Sequence, residues 1–155
     1  MRKEYEKAMN ELKRSITINP NCADCYMNIG QTLWSSDRPH EGIDYLKKAF
    51  LLNPKPPSIY YDHLGYASLF AKEYENALTA FKKAIAIGPN DIFAHIGLMA
   101  VYATLGNKTE AKTARLELLK LDPTFTMENF LKNIPIKNSS TLRHLLEKYR
   151  IAGLE

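Results

Sequence analysis

Two cysteines three residues apart are the first candidates for chemistry in this chain. Cys22-Ala23-Asp24-Cys25 has the spacing of a redox pair or of half a zinc site, and a helix N-terminus nearby lowers a thiol pKa. A structural zinc site needs two further ligands, and a thioredoxin-like site needs a strand leading into its helix. Neither accompanies the pair. Two cysteines in 155 residues are also too few for a disulfide scaffold. Two free thiols in a reducing, cytoplasmic setting are therefore expected. His40, His63, His95 and His144 are far apart, and none has a partner at helical ligand spacing. There is no Gly-rich phosphate loop, no nucleophile elbow and no spaced carboxylate pair in a catalytic setting. The sequence predicts no catalytic residue, no metal and no cofactor, and hence a protein that is not an enzyme.

Charge and hydropathy exclude two other classes. The formal net charge is only +4, and the basic residues come in short pairs such as Lys13-Arg14, Lys47-Lys48 and Lys82-Lys83. Scattered among carboxylates, they read as a solvated surface and predict no nucleic-acid partner. No apolar run reaches the roughly 20 residues of a membrane span, and Met1 is followed by charged residues, so no membrane association is expected.

With no chemistry to position, the informative feature is self-similarity. Thr17-Ile18-Asn19-Pro20, Leu51-Leu52-Asn53-Pro54, Ala86-Ile87-Gly88-Pro89 and Lys120-Leu121-Asp122-Pro123 recur at a period of about 34 residues. Proline lacks the backbone donor and forces its predecessor out of helical geometry, so each marker closes a helix. Between markers, apolar residues recur at helical spacing in two blocks, separated by Ser35-Ser36-Asp37-Arg38-Pro39, Ala71-Lys72-Glu73 and Leu105-Gly106-Asn107-Lys108. Each repeat is thus predicted to be a helical hairpin. Pro39 opens a second helix, and Gly106 closes a first one. Small residues are expected where the paired helices touch: Gly30 with Gly42, Gly65 with Ala77, and Ala111. The same register predicts burial of Leu12, Ile29, Leu33, Leu46, Ala49, Leu64, Phe81, Ala84, Leu98, Tyr102 and Leu118.

Tyr26-Met27-Asn28-Ile29-Gly30, Glu41 to Phe50 and Leu52-Asn53-Pro54 together resemble the tetratricopeptide repeat, and so does the run from Tyr74 to Ala84. Met99, where the third unit should have a small residue, Arg115 in place of an aromatic, and Pro56-Pro57 depart from the pattern locally. The resemblance implies an all-α, right-handed superhelical solenoid of antiparallel hairpins. It reads 1–155 as one domain: a half repeat at 1–20, full repeats at 23–56, 58–91 and 92–125, and C-terminal capping helices at 126–155. The half repeat would leave Ala8, Met9 and Leu12 uncovered. Leu142, Leu145, Leu146 and Tyr149 would form a last amphipathic face beyond a helix ending at Pro135 and the polar stretch Lys137 to Ser140. The stretch from Leu121 to Glu155 resembles the tail of bacterial regulators whose partner domain is a class III nucleotide cyclase or a winged-helix DNA-binding domain.

The family resemblance also implies a binding surface. In such a stack the first helix of each repeat lines a concave face, here Met27, Gln31, Trp34, Ile59, Asp62, Tyr66, Phe70, Phe93, Ile96 and Ala100, with Asp24 and Lys55 nearer the rim. Aromatics with a few polar groups suit a peptide or helix of a partner protein. The basic residues with which the family grips the acidic C-terminus of heat-shock chaperones are absent, for the corresponding positions hold Met27, Gln31, His63, Phe93 and Gly97. His63 and His95 are expected as groove or interhelix histidines. The alternatives are self-association, as a homodimer through the N-terminal half repeat or the groove, and filling of the groove by the chain's own C-terminal helix.

Overall fold

The proline markers act as helix terminators throughout. In a computed structural model describing residues 2–133 and 140–151, α1 (Arg2–Ile18), α3 (Pro39–Leu52), α5 (Tyr74–Ile87) and α7 (Lys108–Leu121) each stop just before a marker proline. The intervening first helices are α2 (Ala23–Trp34), α4 (Ser58–Phe70) and α6 (Ile92–Leu105). Two of them begin on local caps: Cys22 Sγ accepts from the Cys25 amide at α2, and Asp91 Oδ1 accepts from the Ala94 amide at α6. Pro39 occupies the first turn of α3, where its missing N–H costs nothing. The described residues are all helical or in turns and connecting loops, and no helix among them is long and apolar enough to cross a membrane.

Antiparallel hairpins α2–α3, α4–α5 and α6–α7 stack in chain order, with α1 packed on α2. The result is a solenoid in which α2, α4 and α6 lie side by side. The turn inside each hairpin uses the left-handed region at Asp37 (φ 60°), Lys72 (φ 64°) and Gly106 (φ 78°), one repeat apart. Only the third turn has the residue that adopts this region without a Cβ penalty.

Close packing follows the small residues, with one addition to expectation. A Cβ on Gly30 would stand 3.0 Å from the Gly42 carbonyl oxygen, so those two glycines bring α2 and α3 together as predicted. Gly65 has a further role beside its expected contact with Ala77. Its missing Cβ makes room for the Phe81 ring, whose Cε1, Cδ1 and Cζ lie 2.6–2.7 Å from where that Cβ would be. Gly97 of α6 makes room for the same ring. Phe81 is fully buried between two helices because both lack a side chain there.

Of the predicted core, Ile29, Leu33, Leu46, Ala49, Phe81, Ala84 and Leu118 are buried, while Leu12, Leu64, Leu98 and Tyr102 are half-buried at its edge. The half repeat departs from expectation. Met9 is buried against Ile29 and Leu33, and Leu12 joins that cluster, which leaves only Ala8 of the three open. The apolar stripe of α1 faces inward to α2, so the exposed face expected to drive self-association is largely used up within the chain. Past α7, α8 (Met127–Asn133) and α9 (Ser140–Ile151) follow, and α9 returns to pack on α6. Leu146 is half-buried and Tyr149 buried. The expected break at Pro135 and 137–139, and the side chains of Leu142 and Leu145, lie outside the described residues.

Candidate functional site

Placing α2, α4 and α6 in one layer aligns their inward residues, which recur every three or four positions and so share a helix face. Met27, Gln31 and Trp34 come from α2, Ile59, Asp62, Tyr66 and Phe70 from α4, and Phe93, Ile96 and Ala100 from α6. All ten line one cavity of about 890 Å³. Its wall is completed by Tyr5, Asn28, His63, Asp91, Phe130 and Tyr149, among others, so α1, α8 and α9 contribute to its margin.

An aromatic floor organises the cavity. Trp34 stacks on Tyr66 with ring centroids 5.4 Å apart and planes at 13°, and it meets Phe70 at 5.4 Å and His63 at 6.1 Å. Tyr66 rests edge-on against Phe81 at 5.0 Å, and its hydroxyl donates to the Phe93 carbonyl at 2.9 Å. These rings are therefore structural, and Trp34, His63, Tyr66 and Phe70 also line the cavity. Met27, Trp34, Asp62, Phe70, Ile96 and Ala100 are buried, and Gln31 and Tyr66 half-buried. Ile59 and Phe93, 45% and 57% exposed, are the two apolar residues of the set that stand open. Trp34 and Tyr66 are thus poor positions for removing binding without loosening the stack.

The polar residues of the floor are unusual. Asp62 is 5% exposed and its Oδ1 has no hydrogen-bond partner. Burial, then a hydrogen bond to the Asp91 carboxylate and the charge of that group, push the Asp62 carboxyl up to about 8, so it holds a proton at neutral pH. Both ring nitrogens of His63 and Nε1 of Trp34 are buried without partners. Desolvation lowers His63 to about 4, leaving it neutral. His95, by contrast, is satisfied between elements, its Nε2 lying 2.9 Å from the Pro89 carbonyl.

The chain's own α9 supplies part of the cavity wall. Tyr149 of α9 donates its hydroxyl to the Ile96 carbonyl at 3.0 Å and is 5% exposed; burial raises its pKa. The amphipathic face that reads as a cap thus also forms a groove wall. Asp91 is legible in the sequence only as the start of α6, and nothing local marks it as the partner of Asp62. Cys22 and Cys25 stand outside this lining and are joined as a disulfide, their Cα atoms 5.2 Å apart. The expected free thiols are not found, because a turn around the N-cap brings i and i+3 within bridging range; the reducing setting loses its support. Among the described residues no three ligating side chains cluster as a metal site.

With this geometry in hand, comparison identifies the repeat. Residues 23–56 and 59–91 match the tetratricopeptide repeat family. These two hairpins are tetratricopeptide repeats. The mouse tetratricopeptide repeat protein 28 is 25% identical over 121 residues, covering 77% of this chain. The small glutamine-rich tetratricopeptide repeat-containing protein 2 of Mycosarcoma maydis is 25% identical over 109 residues, covering 70%. This chain spans only 5% and 31% of those proteins' lengths. Among solved structures, MamA is similar over 99% of this chain and 81% of its own, with 22% identity and a TM-score of 0.72. YrrB, described as a tetratricopeptide-repeat protein with an unusual peptide-binding site, is similar over 97% and 78%, with 17% identity and a TM-score of 0.66. Tetratricopeptide repeats stacked as hairpins are the architecture of a protein-interaction module.

Proposed function

We propose that this chain holds a peptide or helix of a partner protein in the concave groove, with 92–125 serving as a third repeat. The supporting observation is the 890 Å³ cavity itself: a continuous aromatic and aliphatic floor presented by three adjacent helices, with open apolar residues at its rim. A groove of this size falls within the range of pre-formed ligand sites, roughly 300–1,000 Å³. The YrrB fold, carrying a peptide-binding site in a similar stack, points the same way.

Ile59 and Phe93 are the anchors, because each exposes about half of its surface in the groove. Their removal leaves the floor intact, since the Phe93 group that Tyr66 uses is the backbone carbonyl. The test is selection of a displayed random peptide library on the full chain, followed by titration of the selected peptides. Ile59→Asp and Phe93→Asp should each weaken binding at least about tenfold with unchanged helicity, as expected for buried anchors. Peptides that bind both variants as tightly as the parent would refute the groove as the site.

A further inference from the structure

A groove floor made only of apolar rings would need no buried carboxylates. This one has Asp62 and Asp91 in hydrogen-bond contact, with Asp62 Oδ1 left without a partner. Two carboxylates so close cannot both ionise without a counter-charge, and a buried acceptor without a donor costs stability. Neither group is supplied with a cation by the cavity wall. Among the described residues lining the cavity there is no Lys or Arg, although the protein as a whole carries a net charge of +4. The floor is therefore acidic inside a basic molecule.

A second observation, separate from the acidic pair, also points to a missing ligand. Trp34 and His63 are at least nine-tenths buried, Nε1 of the one and both ring nitrogens of the other lack partners, and both residues belong to the same cavity lining. An indole N–H can only donate and a neutral imidazole can do both, so a ligand that brings acceptors and donors beside its cation would match these atoms. A peptide carries both on its backbone.

We propose that the partner segment carries a Lys or Arg whose cationic head seats against Asp62 and Asp91, while its neighbouring backbone engages Trp34 and His63. This rests on the groove reading above and specifies the partner's chemistry. Arg fits the arrangement best, because its planar fork can bridge two carboxylate groups where the Lys ammonium acts as a point charge. Seating the cation releases the proton that the pair holds in the free protein. An acidic or purely apolar segment would leave all of these groups desolvated and unmatched.

The experiment uses the selected peptides on the full chain. Non-specific attraction to a molecule of positive net charge favours acidic peptides, so enrichment of a fixed-position Lys or Arg runs against the background. That residue should be enriched, and replacing it with norleucine should weaken binding at least about tenfold, the loss typical of one partner of a buried charge pair. Asp62→Asn should produce a similar loss, and so should Asp91→Asn, which keeps an N-capping side chain. The peptide-side replacement leaves the protein untouched and so decides the matter even if a protein variant folds poorly. Peptides that depend on Ile59 and Phe93 yet show no basic enrichment, or that lose less than about tenfold with norleucine, overturn this proposal and leave the groove reading standing. Selection of no peptide, or of peptides indifferent to Ile59→Asp and Phe93→Asp, overturns both.

Discussion

The support beneath the aromatic floor can be tested at Gly97. A Cβ there would lie 2.7 Å from Phe81 Cε2 and closer still to Cζ and Cε1. The ring has little room to retreat, because it also fills the space over Gly65 and packs against Tyr66. Gly97→Ala gains about 1 kcal/mol of helix propensity, while overpacking a fully buried ring costs about 1–3 kcal/mol. With little room for relief the upper part of that range applies, and the net expectation is a loss of about 1–2 kcal/mol. Phe81→Leu removes all three of the ring atoms that the added methyl group would strike. In that background Gly97→Ala should become neutral or stabilising, for a coupling of about 2 kcal/mol, within the range found for residues in contact. Gly65→Ala provides the internal comparison. One of its three close atoms is Cδ1, and Leu keeps a carbon near that position, so its coupling to Phe81→Leu should be smaller. Urea unfolding followed by helical circular dichroism, with unchanged m-values, measures every combination. If Gly97→Ala has the same effect with Phe or Leu at position 81, the two-glycine slot is not what holds this ring.

Three further outcomes follow from the same structure. Asp62 is raised to about 8 and His63 lowered to about 4, so the folded chain keeps a proton on Asp62 that the unfolded chain releases, and stability should fall by about 1–2 kcal/mol from about pH 6.5 to 8. His63 works in the opposite direction only below its ordinary value near 6.5. Asp62→Asn should flatten the upper window and raise stability at about pH 8, as urea midpoints across pH would reveal; a steeper dependence in the variant would contradict the assignment. Gly106→Ala meets nothing within 4 Å at φ 78°, so only backbone strain acts, and a loss of about 1 kcal/mol is expected; an unchanged melting temperature would contradict this. A peptide ending in the acidic chaperone tail should show no heat of binding up to millimolar concentration, because it would bring carboxylates to Asp62 and Asp91.

Much of the fold is legible in the sequence because its determinants are local. A proline that stops a helix, a Pro39 that opens one and a Gly106 in the left-handed region act within a few residues, and their recurrence places the hairpins. The concave residues are legible for a related reason: once three helices lie side by side, a helical register alone decides which side chains face the trough. Contacts between repeats set what cannot be read this way. Pairing Gly65 with Ala77 follows from hairpin packing alone, but the ring that fills the space over Gly65 also needs Gly97 in the next repeat. Met9 reads as uncovered from the spacing of its own helix, but the stripe of α1 turns toward Ile29 and Leu33 of α2. The disulfide depends on how the chain wraps Cys22 around the start of α2, which residue spacing permits without requiring.

The polar floor is the least legible part, and it is the part that bears on function. Asp62 is identifiable as a groove residue from register, but its protonation depends on Asp91 at the head of another helix. The fold uses Asp91 as the cap of α6 and makes no comparable use of the Asp62 carboxyl. The hairpins are held by Phe81 in its slot, by the Gly30–Gly42 approach and by the buried aliphatic residues, and an Asn at position 62 would satisfy the same geometry without a proton to hold. A carboxyl oxygen, an indole N–H and an imidazole left without partners along one cavity all lower the stability of the free chain. A partner that supplies a cation and a backbone would recover part of that free energy. Affinity for a basic segment and stability in its absence should therefore move in opposite directions when Asp62 is made neutral, whereas a merely structural carboxyl would lose both.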